Sequence, residues 1–240
     1  REGARLLADI DAVANRIKRV ATGWEPQFTI AVDSIIVRAT VMELCQSFFA
    51  LKPPTSLKLR SETLSGTLEA LASGQADLAL GVVVQAGSGA DLERESLGTV
   101  HFVFAVSPHH PLAHAPEPLT AAAIRPHRAV ALADSIQRGG GLTISLLPGQ
   151  EVMTVPDMPA KLDAQLRGLG VGFLPTCLAQ SFIDSGRLVV KQTQQPERRL
   201  QFCYAWRKGG KGGQGRALQW WLEQLQSPVT RAALLAERRS

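Results

Sequence analysis

The sequence predicts an α/β protein built as two lobes. Three observations carry that prediction. Short, nearly continuous apolar runs, the clearest over residues 77–84, alternate with helical patterns of about ten residues. The alternation restarts after a loop-like stretch over residues 108–126. The chain has 240 residues, long for one typical domain and short for two large ones. Apolar runs between helices mark strands of a parallel sheet covered on both faces, because each crossover lays a helix over the sheet.

Taken in order, the chain opens on Leu6, Ile10, Val13, Ile17 and Val20 at spacings of four and three, with Leu7, Ala14 and Ala21 beside them. This is a heptad seam of about two and a half repeats, compatible with a paired helix and with an amphipathic helix packed on its own globule. A β-rich run over 28–32 stops at Asp33 and Ser34, two good helix caps, and helical spacing follows through Ile35, Ile36, Val41, Leu44, Phe48 and Phe49. Pro53 and Pro54 end that helix. A strand over 56–61, a helix over 64–72 closed by Gly74 and the strand over 77–84 complete the first group. Two further strands are expected over 93–97 and 99–107.

In the second group, strands are expected over 129–133, 151–155, 171–174 and 188–190, with helices over 158–166 and 176–183. A polar connector over 194–199 leads to a strand over 200–206, a glycine-rich loop and an amphipathic helix over 216–225, free to rejoin the first lobe.

Composition narrows the function. With 45% hydrophobic and 20% charged residues the chain has the profile of an ordinary globular protein, and no apolar run reaches the eighteen or so residues of a membrane span. The first twenty residues lack the apolar stretch of a secretory signal, so a cytoplasmic protein is expected. Cys45, Cys177 and Cys203 are far apart and form no metal or disulfide pattern. The net charge of +5 comes from scattered basic residues without interleaved aromatics, which reads as solvated faces and tails, with phosphate contact as the alternative.

The run Gly168-Leu169-Gly170-Val171-Gly172-Phe173-Leu174-Pro175 resembles a signature of the LysR-type effector-binding domain. Segments 71–81, 106–113, 147–150 and 215–221 agree with that family in order and spacing, so the resemblance covers about residues 27–222. It implies two Rossmann-like lobes of the type II periplasmic-binding-protein kind, joined by two crossover strands, with a ligand cleft between them and a linker helix before them. The lobes would be 24–105 with 200–240, and 106–199, with 1–23 as the end of the linker and dimerisation helix. The family reads DNA through a winged helix-turn-helix ahead of that linker, which these residues do not include. The resemblance therefore implies a small-molecule effector, a homodimer or dimer of dimers, and DNA contact only through that missing segment. Two departures stand out: Val37-Arg38 puts a charge near the cleft mouth, and the glycine-rich 135–141 stands where relatives hold a polar loop over the ligand.

Parallel α/β sheets bind ligands at the carboxyl ends of strands, beside helix N-termini with unpaired N–H groups. In the first lobe those ends are Asp33, Ser34 and Ile35, then Ser61, Glu62 and Thr63, then Gly81 and Val82. In the second they are Ala133, Asp134 and Ser135, with Val171, Gly172 and Phe173. Asp33, Ser34 and Thr63 could equally be helix caps, and Phe173 core. Asp33, Glu62 and Asp134 favour a neutral or cationic ligand, whereas Arg38, Arg60 or Arg138 turned inward would favour an anion.

No cofactor is expected. Residues 168–172 resemble a dinucleotide fingerprint, but they follow a helix and open a strand, the reverse of the order that chemistry needs; their glycines suit a tight turn and a close backbone approach. His109, His110 and His114 cluster in a proline-rich loop without a carboxylate or cysteine at ligand spacing. Neither a Gly-x-Ser-x-Gly elbow nor a Ser, His and Asp trio can be assembled, so catalysis is not expected. An allosteric sensor in a transcription regulator leads, ahead of a transporter's solute-binding protein and of an enzyme on the same fold.

Overall fold

The computed structural model describes residues 23–83, 92–134, 146–194, 198–208 and 214–235. The heptad seam and Ser135 lie outside the described residues.

Strand β1 (Gln27–Asp33) is flanked in parallel by β2 (Ser56–Glu62) and β3 (Leu78–Val83). Successive residues face opposite sides. Phe28, Ile30, Leu78 and Leu80 enter a core with Phe48, Tyr204 and Trp221, under α1 (Arg38–Ala50), α6 (Arg216–Gln226) and α7 (Pro228–Leu235). Ala31, Ala79 and Ala205 face the other way, and their small side chains let α2 (Gly66–Ala72) lie close with Ala70 and Leu71.

The sheet is mixed rather than parallel throughout. Strand β9 (Arg198–Arg207) runs antiparallel to β3 and to the long β4 (Leu92–Val106). Beyond Phe102, β4 continues into the second lobe, where β7 (Gly172–Pro175) and β8 (Val189–Lys191) pair with it antiparallel. The two strands expected over 93–107 are thus one, with a register shift between Ser96 and Gly98 absorbing the irregularity that looked like a break. Likewise β9 begins at Arg198, inside the expected connector. Strands β5 (Ala129–Leu132) and β6 (Val152–Val155) pair in parallel, and a bridge from Ala129 to Val171 joins them to the start of β7.

Helices α3 (Ala121–Ile124), α4 (Met158–Leu166) and α5 (Thr176–Asp184) belong to the second lobe, with α4 at its expected bounds. Helix α1 starts later than the sequence suggests, at Arg38, and neither Asp33 nor Ser34 caps it. The Val37 N–H at its start donates instead to the Leu234 carbonyl at the end of α7, a helix the sequence reading did not anticipate.

Candidate functional site

The carboxyl end of β1 faces the N-terminus of α4 across a cleft between the lobes. Asp33 closes β1 with a buried side chain whose two oxygens accept N–H groups from Ile35 (2.9 Å) and Leu64 (3.0 Å). Burial pushes its carboxyl up to about 7, the two N–H donors pull it down, and nearby Asp134 adds to the rise. Room for this side chain comes from Gly81, at φ +89°, where a Cβ would stand 2.7 Å from that of Asp33.

The second lobe contributes cations. Helix α4 is capped by Asp157, which accepts the Ala160 N–H at 2.8 Å, and its buried stripe carries Met158, Lys161, Ala164 and Gln165. Lys161 is pushed down to about 8, first by burial and then by the like charge of Arg198. Burial also holds the Arg198 guanidinium below its ordinary range, and it lies over the Phe173 ring at 5.4 Å from the centroid. Gln165 is wholly buried against Gly172, and among the described residues neither of its amide atoms is hydrogen-bonded.

Between these groups lies a cavity of about 60 Å³. Asp33, Ile35, Leu64 and Val83 line it from the first lobe; Leu132, Met158, Lys161 and Phe173 from the second; and Phe102, Arg198, Leu200 and Phe202 from the two long strands. Three hydrogen bonds cross beside it. The Met158 N–H donates to Ser34 Oγ (3.3 Å), Thr63 Oγ1 donates to the Pro156 carbonyl (3.1 Å), and Ser65 Oγ donates to Asp134. A roomier groove of about 540 Å³ lies between β4 and α7, lined by Leu97, Val100, Thr176 and Arg231 among others. It is more open and lacks the buried opposed charges of the cleft, so the cleft is the better candidate.

Of the residues expected from the sequence, Asp33, Ile35 and Phe173 line the cavity, while Ser34, Thr63 and Asp134 bridge the lobes beside it. Ala133 stands half-buried next to Asp134. Ser61 is exposed, Glu62 is paired with Arg60 at 2.9 Å, and Val82 and Val171 are in the core. Gly81 backs Asp33, and Gly172 packs beside Gln165 and Lys161. Arg38 is exposed at the start of α1, away from the lining. Lys161 and Arg198 were missed. A lysine and a glutamine at the spacing of the buried stripe on α4 were the available signal for the first.

Other sequence features resolve into structure. His110 Nδ1 accepts the Leu112 N–H at 3.2 Å, and its ring lies 4.8 Å from that of His127. Among the described residues no group of three or more His, Cys, Asp or Glu is placed to hold a metal ion. At Gly170 a Cβ would come within 2.6 Å of the Arg128 carbonyl oxygen, the close backbone approach expected of this run.

Two α/β lobes linked by long shared strands, with charged side chains in the cleft between them, define the bilobal fold of the periplasmic-binding-protein kind. The family model described as the LysR substrate binding domain matches residues 21–228. The HTH-type transcriptional regulator YeeY of Escherichia coli (strain K12) is 33% identical, over 93% of this chain and 72% of its own length. The regulatory domain of MetR, a LysR family regulator from N. meningitidis, superposes with a TM-score of 0.65 at 18% identity, over 89% of this chain and 97% of that one. Full-length LysG from Corynebacterium glutamicum, with bound effector Arg, gives a TM-score of 0.64 at 20% identity, over 99% of this chain and 78% of its own. The chain belongs to the LysR family of transcriptional regulators, of which it carries the substrate-binding domain. It is the ligand-sensing region of such a regulator rather than a transporter's solute-binding protein. No helix among the described residues is long and apolar enough to cross a membrane.

Proposed function

We propose that this chain binds a small effector in the cleft between lobes 24–105 with 200–240 and 106–199, and that occupancy sets the angle between them. The regulator then acts as a cytoplasmic homodimer or dimer of dimers, its DNA contact made outside these residues. The observation that carries this reading is the cavity itself, enclosed by both lobes and lined by Asp33, Ile35, Lys161, Phe173 and Arg198. At about 60 Å³ it is smaller than the roughly 150 Å³ that admits a benzene-sized ligand, so an effector parts or re-angles the lobes on entering. The three cross-lobe hydrogen bonds are worth about 1 kcal/mol each, a total within reach of a ligand's differential affinity. Binding energy is the output, without a catalytic step: Asp33, the acid in the lining, has both oxygens engaged by backbone N–H groups.

A thermal-shift screen against a metabolite panel identifies the effector, since a ligand of the folded state raises Tm. Calorimetry then compares variants. Ser34→Ala removes the acceptor of the Met158 N–H, a cross-lobe bond that the entering effector would otherwise have to break, and strengthens binding by roughly 1 kcal/mol. Thr120→Ala, at the exposed cap of α3, leaves affinity unchanged. Leu132→Trp fills the cavity and abolishes binding. A metabolite that stabilises Leu132→Trp as much as wild type would place its site elsewhere and overturn the reading.

A further inference from the structure

Among the described residues two lysines are buried, and the cleft treats its own differently from the other. Arg60, Arg128, Arg167, Lys191 and Arg207 each have a carboxylate within 3.2 Å. Lys191 is the instructive comparison. It is 8% exposed, and its ammonium is met by Glu117 at 2.7 Å and by the carbonyls of Ala113 (3.4 Å) and Ala115 (2.9 Å). Lys161 is equally buried, at 8%, yet among the described residues it has no hydrogen-bond or ion-pair partner. Arg198 likewise has no carboxylate there, and its described side-chain contact is the Phe173 ring. An unpaired buried ammonium is strongly unfavourable, and this chain pairs such a group where stability alone is at stake.

From this we infer that the effector is a small organic acid with an apolar or aromatic body, its carboxylate held by Lys161 and Arg198. The inference rests on the cleft being the effector site and adds the chemistry of the ligand. Phe102, Phe173, Leu132 and Leu200 supply apolar walls for the body. A guanidinium edge and an ammonium match the two oxygens of one carboxylate. Asp33, also in the lining, disfavours a second negative charge once it is ionised, so a monoanion suits the site better than a phosphate dianion.

The test uses benzoate, phenylacetate and 4-methylpentanoate, their primary amides, and benzylamine, each at matched millimolar concentration and ionic strength. Thermal melts are recorded for wild type, Lys161→Gln, Arg198→Gln, Lys161→Arg and Leu132→Trp. At least one acid raises the wild-type Tm by about 3 °C at tenfold excess over its Kd. Its amide and benzylamine leave Tm unchanged. The shift disappears in Lys161→Gln, Arg198→Gln and Leu132→Trp and survives in Lys161→Arg, which keeps the charge. Should one neutralised variant fail to fold, the other still decides. No shift with any acid, or equal shifts with acid and amide, overturns the inference. An amide or amine that stabilises wild type but not Leu132→Trp removes the organic acid and leaves the cleft as the site. An acid whose shift persists in Leu132→Trp removes both.

Discussion

Lys161 stands on α4 where the helical period calls for an apolar side chain, between Met158 and Ala164 on the buried stripe. Its ammonium falls from 10.5 to about 8, while the Asp33 carboxyl rises from 3.8 to about 7. The signs differ. Between pH 8 and 10.5 the folded chain binds fewer protons at Lys161 than the unfolded one, so stability rises with pH there. Between pH 4 and 7 it binds more at Asp33, so stability falls as pH rises across that window. Lys161→Met is therefore expected to stabilise the free protein at pH 7 by on the order of 3 kcal/mol and to abolish the rise above pH 8. Asp33→Asn is expected to flatten the fall between pH 4 and 7. Urea unfolding across pH 4 to 10.5 measures both, and a Lys161→Met protein no more stable than wild type would mean the ammonium is satisfied in the free cleft. At this scale three of the twelve residues that line the cavity were expected from the sequence. Asp33, Ile35 and Phe173 were legible because strand ends can be read locally. Lys161 and Arg198 were not, because what faces a cleft depends on how α4 and β9 lie across it.

Elements are held at their ends by residues far away in the chain. Helix α6 begins at Gly215, which has no side chain to cap it, and the cap comes from Glu25. Its oxygens accept the N–H groups of Ala217 (2.8 Å) and Leu218 (3.1 Å), placing a negative charge on the positive end of the helix. A Cβ at Gly215 would stand within 2.6 Å of that carboxylate, so the missing side chain makes the approach possible. Glu25→Ala is expected to lower stability by about 1–2 kcal/mol, and Glu25→Gln by less because one acceptor remains. Equal denaturation midpoints for Glu25→Ala and wild type would show that water replaces the cap. Helix α6 was legible from its period, as were α4 and β1, whereas this cap was not. Local rules put caps next to the helices they serve. They assigned Asp33 and Ser34 to α1, but Asp33 is occupied by Ile35 and Leu64 and Ser34 by Met158.

At the scale of the whole molecule, β4 and β9 pair with each other from Leu92 to Phe102, and β4 carries on into the second lobe. Gly98 and the polar residues ahead of Leu200 look like chain breaks, and the demand that two strands span both lobes overrides them. Assembly is the next level up. Ala39, Met42, Gln46 and Phe49 form one exposed stripe along α1, with Met42 46% and Phe49 51% exposed, and Leu51 beyond it is 53% exposed. Large apolar side chains clustered on a helix face, rather than scattered singly, are the usual mark of an association surface. The chain is therefore expected to be a homodimer in sedimentation experiments at concentrations on the order of tens of micromolar, where modest interfaces are populated. The double substitution Met42→Glu and Phe49→Glu puts two like charges on that stripe and should shift the equilibrium toward monomer while leaving the far-UV circular dichroism unchanged, because neither side chain belongs to the core. A wild-type chain that sediments as a monomer would refute the dimer. If the double variant stays as dimeric as wild type, α1 is excluded as the contact and the seam from Leu6 to Val20 becomes the surface to test.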